Sequence, residues 1–475
     1  MAEQITTSKG LLEPVLELGL EDVHFFNGRL LTALDLQKMQ EANRLQHHQL
    51  GQAIGAGVVW GLEVSLVDDG SGGDPPVVSV SAGSAVNRFG QALTLPAKTS
   101  VMLTDADEAA PQDAGLFQMC TPPKGGTVPT GEGIYVLTVK LASGFREWVP
   151  KRGLGEDGQV DGCGRRYTVE GVQFHLEELS LDTITGLDQD TRDEVAELME
   201  EIDELRFTPD ELSQAQRRAK LSKLRNWLAH VCLGTEEVAG FGKDPFEQVS
   251  GQSSYVTYGA ADALRAEGKL TDCDVPLALL YWTTSRVHFV DNWSVRRRLT
   301  APLHSTVWPL PLGRRQMIEA EAAFQQFQDQ MRYLVESNLG PSGLAAVHVK
   351  DYFRYLPPAG LIPIADLSVA SLGTPPEIQA RVFFDGLTVR DPGDTQLYIE
   401  GARLTALIHD SLAYPAIDLT SAELIWLYFV RENQRAVDLG DLSQSDLYLV
   451  FANGHMPYRA DARYDANRWD YANFV

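Results

Sequence analysis

The chain has 475 residues, 44% hydrophobic and 22% charged: enough apolar content for two to four domains with real cores, and too ordinary a charge content for wholesale disorder. Its 65 acidic residues against 40 basic ones leave a net charge of −25. That balance repels nucleic acid and anionic lipid; it suits a surface kept soluble by its charge or one that docks on basic partner subunits.

The first segment, MAEQITTSKG, has no apolar core of the signal-peptide kind, so synthesis in the cytoplasm without the general secretory route is expected. Residues 1–65 read as a helix-containing docking segment. Thr32 can cap a helix with Asp35 three residues on, a capping box with Asp in place of Glu. Leu36, Met39, Asn43, Gln46, Leu50 and Ile54 follow at near-heptad spacing, apolar at the ends and polar in the middle. Such a stripe fits either a half-exposed helix of one subunit or packing against another copy, where polar groups fix register. His47 and His48 point about 100° apart on a helix and make a poor metal pair.

Glycines 55, 57 and 61 end the helix, and VVWGLEVSLV reads as a strand. VVSVSAGSAVNRFGQALTLP reads as two short strands around a turn at Asn87 to Gly90, and GIYVLTVKLA as another strand, giving a β-rich module over 66–150. KRGLGEDGQVDGCGRRY reads as a Gly-rich loop without the G-K-[ST] ending of a phosphate loop. An α+β module over 151–312 contains a helical hairpin, 188–233, striped first by Val195, Leu198, Met199, Ile202 and Leu205. Thr208-Pro209-Asp210-Glu211 starts its second helix, striped by Leu221, Leu224 and Leu228, and Gly234 ends it.

VPLALLYWTTSRVHFVDNWSVRRRL, Val275 to Leu299, reads as a buried strand, a short turn and a second strand. Arg296, Arg297 and Arg298 are the densest basic cluster of this acidic chain. Without a second cluster or an aromatic platform they read as ion-pairing residues, within the subunit or across an interface, not as a nucleic-acid patch.

The long amphipathic helix over 313–345 has the clearest periodicity. Met317, Ala320, Phe324, Phe327, Met331 and Leu334 form an a/d seam that suits packing on its own domain as well as a helix shared between subunits. A β-sandwich-like domain is expected over 346–456, from IQARVFFDGLTV, ELIWLYFVREN and DLYLVFANG, with a helix around Glu400 to Ser411. The tail, 457–475, interleaves Tyr458, Tyr464, Trp469, Tyr471 and Phe474 with arginines, the residue types enriched at interface cores. The fold class expected is α+β multidomain: β-rich modules, sandwich-like at the C-terminal end, with a helical hairpin and long amphipathic helices.

No motif carries chemistry. G-x-S-x-G, H-E-x-x-H, G-x-x-x-x-G-K-[ST] and G-x-G-x-x-G are all absent. Cys120, Cys163, Cys232 and Cys273 are scattered, without a C-x-x-C pair, as in a chain kept in a reducing compartment. In HFVD, His288 and Asp291 read as core-edge and turn residues. The longest apolar run, Leu424 to Val430, is far short of the roughly 20 residues that span a bilayer. No catalytic residue, cofactor, metal, nucleic-acid partner or inserted membrane segment is therefore expected. The interface candidates are Phe324, Phe327, Met331, Arg296, Arg297, Arg298, Tyr464, Trp469, Tyr471 and Phe474.

The opening FFNGRLLTALDLQKMQEANRLQHHQLGQAIGAGVVWGLEV, followed by VSVSAGSAVNRFGQALTLP, resembles proteins of phage-tail-like contractile injection systems. These pair a segment like N-G-R-L-L-T-A-x-D-L with a helix, then V-V-x-G-L-x-V and a strand pair around S-x-G-x-A. VHFVDNWSVRRRL, FRYLPPAGLIPI and AELIWLYFVREN are similar to the same kind of protein, so the resemblance is spread over most of the chain. It implies a structural baseplate or fibre-type subunit or adaptor that assembles in the cytoplasm with other copies of itself and with other tail subunits. The alternatives in other classes are a particle-borne enzyme acting on carbohydrate or cell wall, marked by a cleft with paired carboxylates of raised pKa, and a receptor-binding module.

Overall fold

The computed structural model of the chain describes residues 22–28, 30–103, 133–150, 163–183, 187, 189–205, 211–234, 259–283, 286–297, 310–337, 347–363, 381–385, 387–389, 398–412, 414–421, 424–430 and 448–453. The fold is α+β, with helices and several largely antiparallel sheets. Helix α1 (Ala33–Ile54) begins as its sequence dictates: the Thr32 hydroxyl accepts from Asp35 N–H while the Asp35 carboxylate accepts from Thr32 N–H, a complete capping box. Six short strands follow: β1 (Gly57–Gly61), β2 (Val64–Asp68), β3 (Val77–Val80), β4 (Gly83–Val86), β5 (Ala92–Leu95) and β6 (Thr99–Met102). The run expected as one strand from Val58 to Val67 is two, because Gly61 and Leu62 both take left-handed φ, 61° and 56°. That kink sends β1 to the sheet β1-β4-β5 and β2 to the sheet β2-β3-β6.

The central sheet has the order β10-β9-β7-β8, built from β7 (Gly133–Pro150), β8 (Cys163–Glu178), β9 (Val275–Thr283) and β10 (Arg286–Asp291). β7 pairs with β8 from Tyr135↔Glu178 to Pro150↔Cys163 and with β9 on its other side. A division of the chain at residue 150 therefore separates two paired strands, and the CGRRY expected in a loop is the start of β8. Position parity explains the layers. Ile134 and Val136 of β7 pack with Leu279 and Tyr281 of β9 in one core, under α2 (Gln189–Glu204), α3 (Glu211–Leu233) and α4 (Ala260–Ala266). Tyr135, Leu137, Val139, Leu280 and Trp282 enter a second core beneath the small N-terminal sheets. A strand buried on both faces has no polar side, which is why VPLALLYW reads as a continuous apolar run.

The C-terminal part holds α5 (Leu310–Glu336), α6 (Val349–Tyr352), β11 (Tyr355–Leu356), β12 (Ala359–Pro363), β13 (Thr388–Val389), β14 (Tyr398–Ile399), α7 (Gly401–Ser411), β15 (Ile417–Asp418), β16 (Leu424–Val430) and β17 (Tyr448–Asn453). Strands β12-β17-β16-β13, with β14 also on β16, form one mixed sheet; β13 and β14 run parallel to β16. Ile425, Leu427 and Phe429 face the α5/α6 core, while Trp426, Tyr428 and Val430 face the α7 side. This sheet has helices on both faces, and β11 and β15 pair antiparallel as a separate two-stranded sheet whose Leu356 and Ile417 enter the α5/α6 core. Residues 381–383, expected in a strand, are helical, and Phe383 and Phe384 are both buried in edge-to-face contact at 5.0 Å between centroids. Among the described residues no helix is long and apolar enough to cross a membrane.

Candidate functional site

The segment after β10 is the junction of the molecule. Asp291 is fully buried; its Oδ2 lies 3.2 Å from Arg225 Nε of α3 and accepts hydrogen bonds from Ser294 Oγ at 2.7 Å and Gln326 Nε2 of α5 at 2.5 Å. Burial alone would push this carboxyl up, but the Arg225 guanidinium and the bonds from Ser294, Gln326 and Trp293 N–H hold it below the ordinary carboxylate range. Asn292 mimics a strand neighbour, accepting from Val64 N–H at 2.8 Å and donating to Val64 C=O at 2.9 Å. Trp293 donates its indole N–H to Asp329 of α5 at 2.5 Å.

The two described arginines of the basic cluster, expected to form ion pairs, also bind backbone. Arg296 donates to the carbonyls of Gly61 and Leu62, and Arg297 to those of Ser294 (2.9 Å) and Cys232 (3.0 Å). Their guanidiniums cap backbone acceptors of the kinked β1–β2 segment and of the α3 terminus. His288 does not pair with Asp291; its ring nitrogens lie 2.9 Å from Thr283 Oγ1 and 3.2 Å from Arg217 Nη2.

The α5 seam is likewise internal. Phe327, Met331 and Leu334 are buried in the C-terminal core, and Phe327 packs edge-to-face on Phe451 at 5.2 Å and tilted on Phe353 at 5.1 Å. Phe327 and Met331 are therefore core residues, not interface residues, and Phe324 is half-buried. A period of 3.5 cannot distinguish a core-facing helix from a shared one, because both need one apolar stripe. A polar position beside the stripe is also occupied: Gln328 accepts from Leu361 N–H at 2.9 Å and donates to Leu361 C=O at 3.2 Å, closing the edge of β12.

The opening segment behaves differently. Leu30 is 86% exposed, Leu34 62% and Phe26 60%, and Phe25, Leu31, Leu36, Leu45, Leu50 and Ile54 are also exposed. α1 is buried at Gly51 and, on another face, at Ala42. A β-carbon at Gly90 would collide with the α1 backbone at His48 and Gln52, one at Gly51 would collide with the Gly90 backbone, and Arg44 Nη2 sits 3.5 Å from Glu170 of β8. Val59 and Trp60 on β1, an edge strand of its sheet, are exposed too.

Titratable groups gather at one other place, the helix-covered face of the central sheet. Lys140 is 4% exposed, and burial pulls its ammonium down against the pull of Asp274 and Glu177. Burial, then Asp274, pushes the Glu177 carboxyl up. Asp274 accepts from the N–H of Thr271 at 2.8 Å and from its hydroxyl at 2.5 Å. Among the described residues no group of three or more His, Cys, Asp or Glu converges as a metal site.

Cys232 is a buried free thiol pushed up to about 12 by burial. Cys273 is disulfide-bonded, to a partner outside the described side chains, which corrects the expectation of four unpaired cysteines. Wide sequence spacing hides such a bond because the fold, not the chain, brings the sulfurs together. Arg298, Tyr464, Trp469, Tyr471 and Phe474 lie outside the described residues. No family model matches the chain, and no curated protein matches it significantly.

Proposed function

We propose that this chain is a structural subunit of a phage-tail-like contractile injection particle, at the baseplate or in a peripheral appendage such as a fibre adaptor, acting through protein–protein assembly. One observation carries the reading. The segments that carry the resemblance divide into two kinds. Those around Asp291, Tyr355 and Trp426 are consumed by internal packing, whereas the opening segment leaves its phenylalanines and leucines on the surface. A run of large exposed apolar side chains marks a surface that another protein covers. Imaging purified particles that carry this subunit with a bulky label tests the reading: density for the label at a fixed place in the tail supports it, and particles without label contradict it.

A second reading, a particle-borne enzyme acting on carbohydrate or cell wall, draws on Glu177, whose raised carboxyl beside Asp274 is the pattern of a general acid. Turnover of peptidoglycan by the isolated chain, lost in Glu177→Gln, would favour it over assembly.

A further inference from the structure

We propose that Lys140 and Asp274 join in an intramolecular isopeptide bond between β7 and the start of β9, with Glu177 as its acid–base catalyst. Strand register brings the three together. β7 and β9 pair antiparallel as far as Val139↔Val275, and the next step along both chains sets Lys140 opposite Asp274. Directly opposed residues on one face have β-carbons about 4.5–5.5 Å apart, within reach of a lysine's flexible stem. On the other side of β7, Glu177 of β8 stands opposite Val136. Val136, Thr138 and Lys140 alternate along one strand, so with Glu177 they share the helix-covered face. Thr138 donates its hydroxyl to Asp274 Oδ1 at 3.3 Å, which puts the Asp274 carboxylate on that face too.

Burial sets up the reacting forms. Lys140 is 4% exposed, and desolvation favours its uncharged amine over the opposing pull of Asp274, the larger, and of Glu177. At Glu177 desolvation, and then Asp274, favours the protonated acid over the pull of Lys140 and Lys269. A desolvated lysine amine is a nucleophile, and a protonated carboxyl beside a carboxylate is its acid partner. Asp274 is the acid held for attack. Its Oδ2 accepts from Thr271 N–H at 2.8 Å and from Thr271 Oγ1 at 2.5 Å, and its Oδ1 from Thr138. Donors fixed on both oxygens stabilise the negative charge that builds there when Cγ is attacked.

The step balances without a co-reactant. Glu177 gives its proton to the Asp274 carboxylate, and the lone pair of Lys140 Nζ forms a bond to Asp274 Cγ. The Glu177 carboxylate takes a proton from the attacking nitrogen and returns it to the departing oxygen. The C–O bond then breaks, its electron pair leaves with water, and an amide joins the two side chains; nothing is oxidised or reduced. The bond ties β7 to the chain entering β9 and closes α2, α3 and α4 into a covalent loop, which restricts the unfolded chain as a disulfide does.

The test is the intact mass of the full chain, purified folded, then unfolded and fully reduced so that the Cys273 disulfide does not contribute. The wild type should weigh one water less than its sequence, and fragment mapping should recover a branched peptide joining Lys140 to Asp274. Lys140→Arg, which keeps a cation in place, and Asp274→Ala should each weigh their full sequence mass. Glu177→Gln should keep the wild-type circular dichroism and slow the loss of water by about 10²–10⁴-fold, so that freshly purified chain keeps its full mass. A wild type at full sequence mass overturns the proposal, whatever the variants do. A water loss that survives Lys140→Arg, or a branched peptide joining Lys140 to Glu177, overturns it too. So does a Glu177→Gln chain that loses water as fast as the wild type, because the bond then forms without its catalyst.

Discussion

Arg225 Nε of α3 lies 3.2 Å from Oδ2 of Asp291, a carboxylate with no solvent exposure. The nitrogen stands off the line of a directed hydrogen bond, so the pair is held by charge, while Ser294, Gln326 and Trp293 N–H saturate the carboxylate. One residue thereby fixes the end of β10 to the hairpin helix and to α5. Asp291→Asn keeps the shape and leaves Arg225 with Asp329 alone, 3.7 Å from its Nη2; breaking a buried pair typically costs about 3–5 kcal/mol, and the remaining partner puts the expected loss at the low end, about 3 kcal/mol. Because the carboxyl is held below its ordinary range, its stabilisation is present above the unfolded pKa and fades as pH falls through the lower folded value. Urea unfolding should show a large difference between wild type and variant at pH 7 that closes in strong acid. A difference independent of pH would contradict this.

His230 stacks on Tyr355 at 4.4 Å between centroids, and its imidazole is pushed down to about 3, chiefly by burial and further by Arg354, with Asp418 opposing. The unfolded chain takes up this proton near pH 6.5 and the folded chain does not, so folding weakens as pH falls through the window from about 6.5 to about 3. The expected slope is up to about 1.4 kcal/mol per unit. His230→Gln should flatten that slope in denaturant titrations across the window. An unchanged slope would show that other groups set it.

α1 rests on the β4–β5 turn through Gly51 and Gly90, where a methyl group on either would meet backbone. Gly51→Ala should lift the helix at an overpacking cost of about 1–3 kcal/mol. Hydrogen exchange should quicken over residues 44–55 and stay unchanged in β9. Unchanged exchange in α1 would mean that this contact does not hold it.

The two described cysteine side chains should behave oppositely. Cys232, buried with its thiol pushed up to about 12, should resist alkylation until the chain unfolds. Cys273 should stay unlabelled even in denaturant until reductant is added. Peptide mapping with and without reductant reads both. Free Cys273 in the unreduced, unfolded protein would contradict the bond.

Local signals were legible in the sequence where one residue decides the outcome. Thr32 and Asp35 announced the start of α1, Asn87 to Gly90 the β4–β5 turn, and the apolar runs β9 and β16. What depends on tertiary placement was not. The α5 stripe is equally apolar whether Phe327 meets Phe451 of its own chain or a neighbouring subunit. HFVDNWS gave no sign that Asp291 binds an arginine far away in the chain, because a buried ion pair leaves no periodicity. Arg296 and Arg297 looked like a surface cluster since sequence shows charge and not the carbonyls it caps.

The exposed opening segment is proposed to dock this subunit in a larger particle. Its most direct test is the amount of this chain that co-purifies with intact particles, wild type against Leu31→Asp combined with Leu34→Asp. Both sites are exposed, so circular dichroism should be unchanged. The wild type should co-purify at a fixed stoichiometry and the variant should show a loss of about tenfold or more, since removing even one apolar anchor worth about 1.4 kcal/mol is a tenfold loss of affinity. Equal incorporation of the folded variant, or a wild-type chain that never co-purifies with the particle, would contradict it.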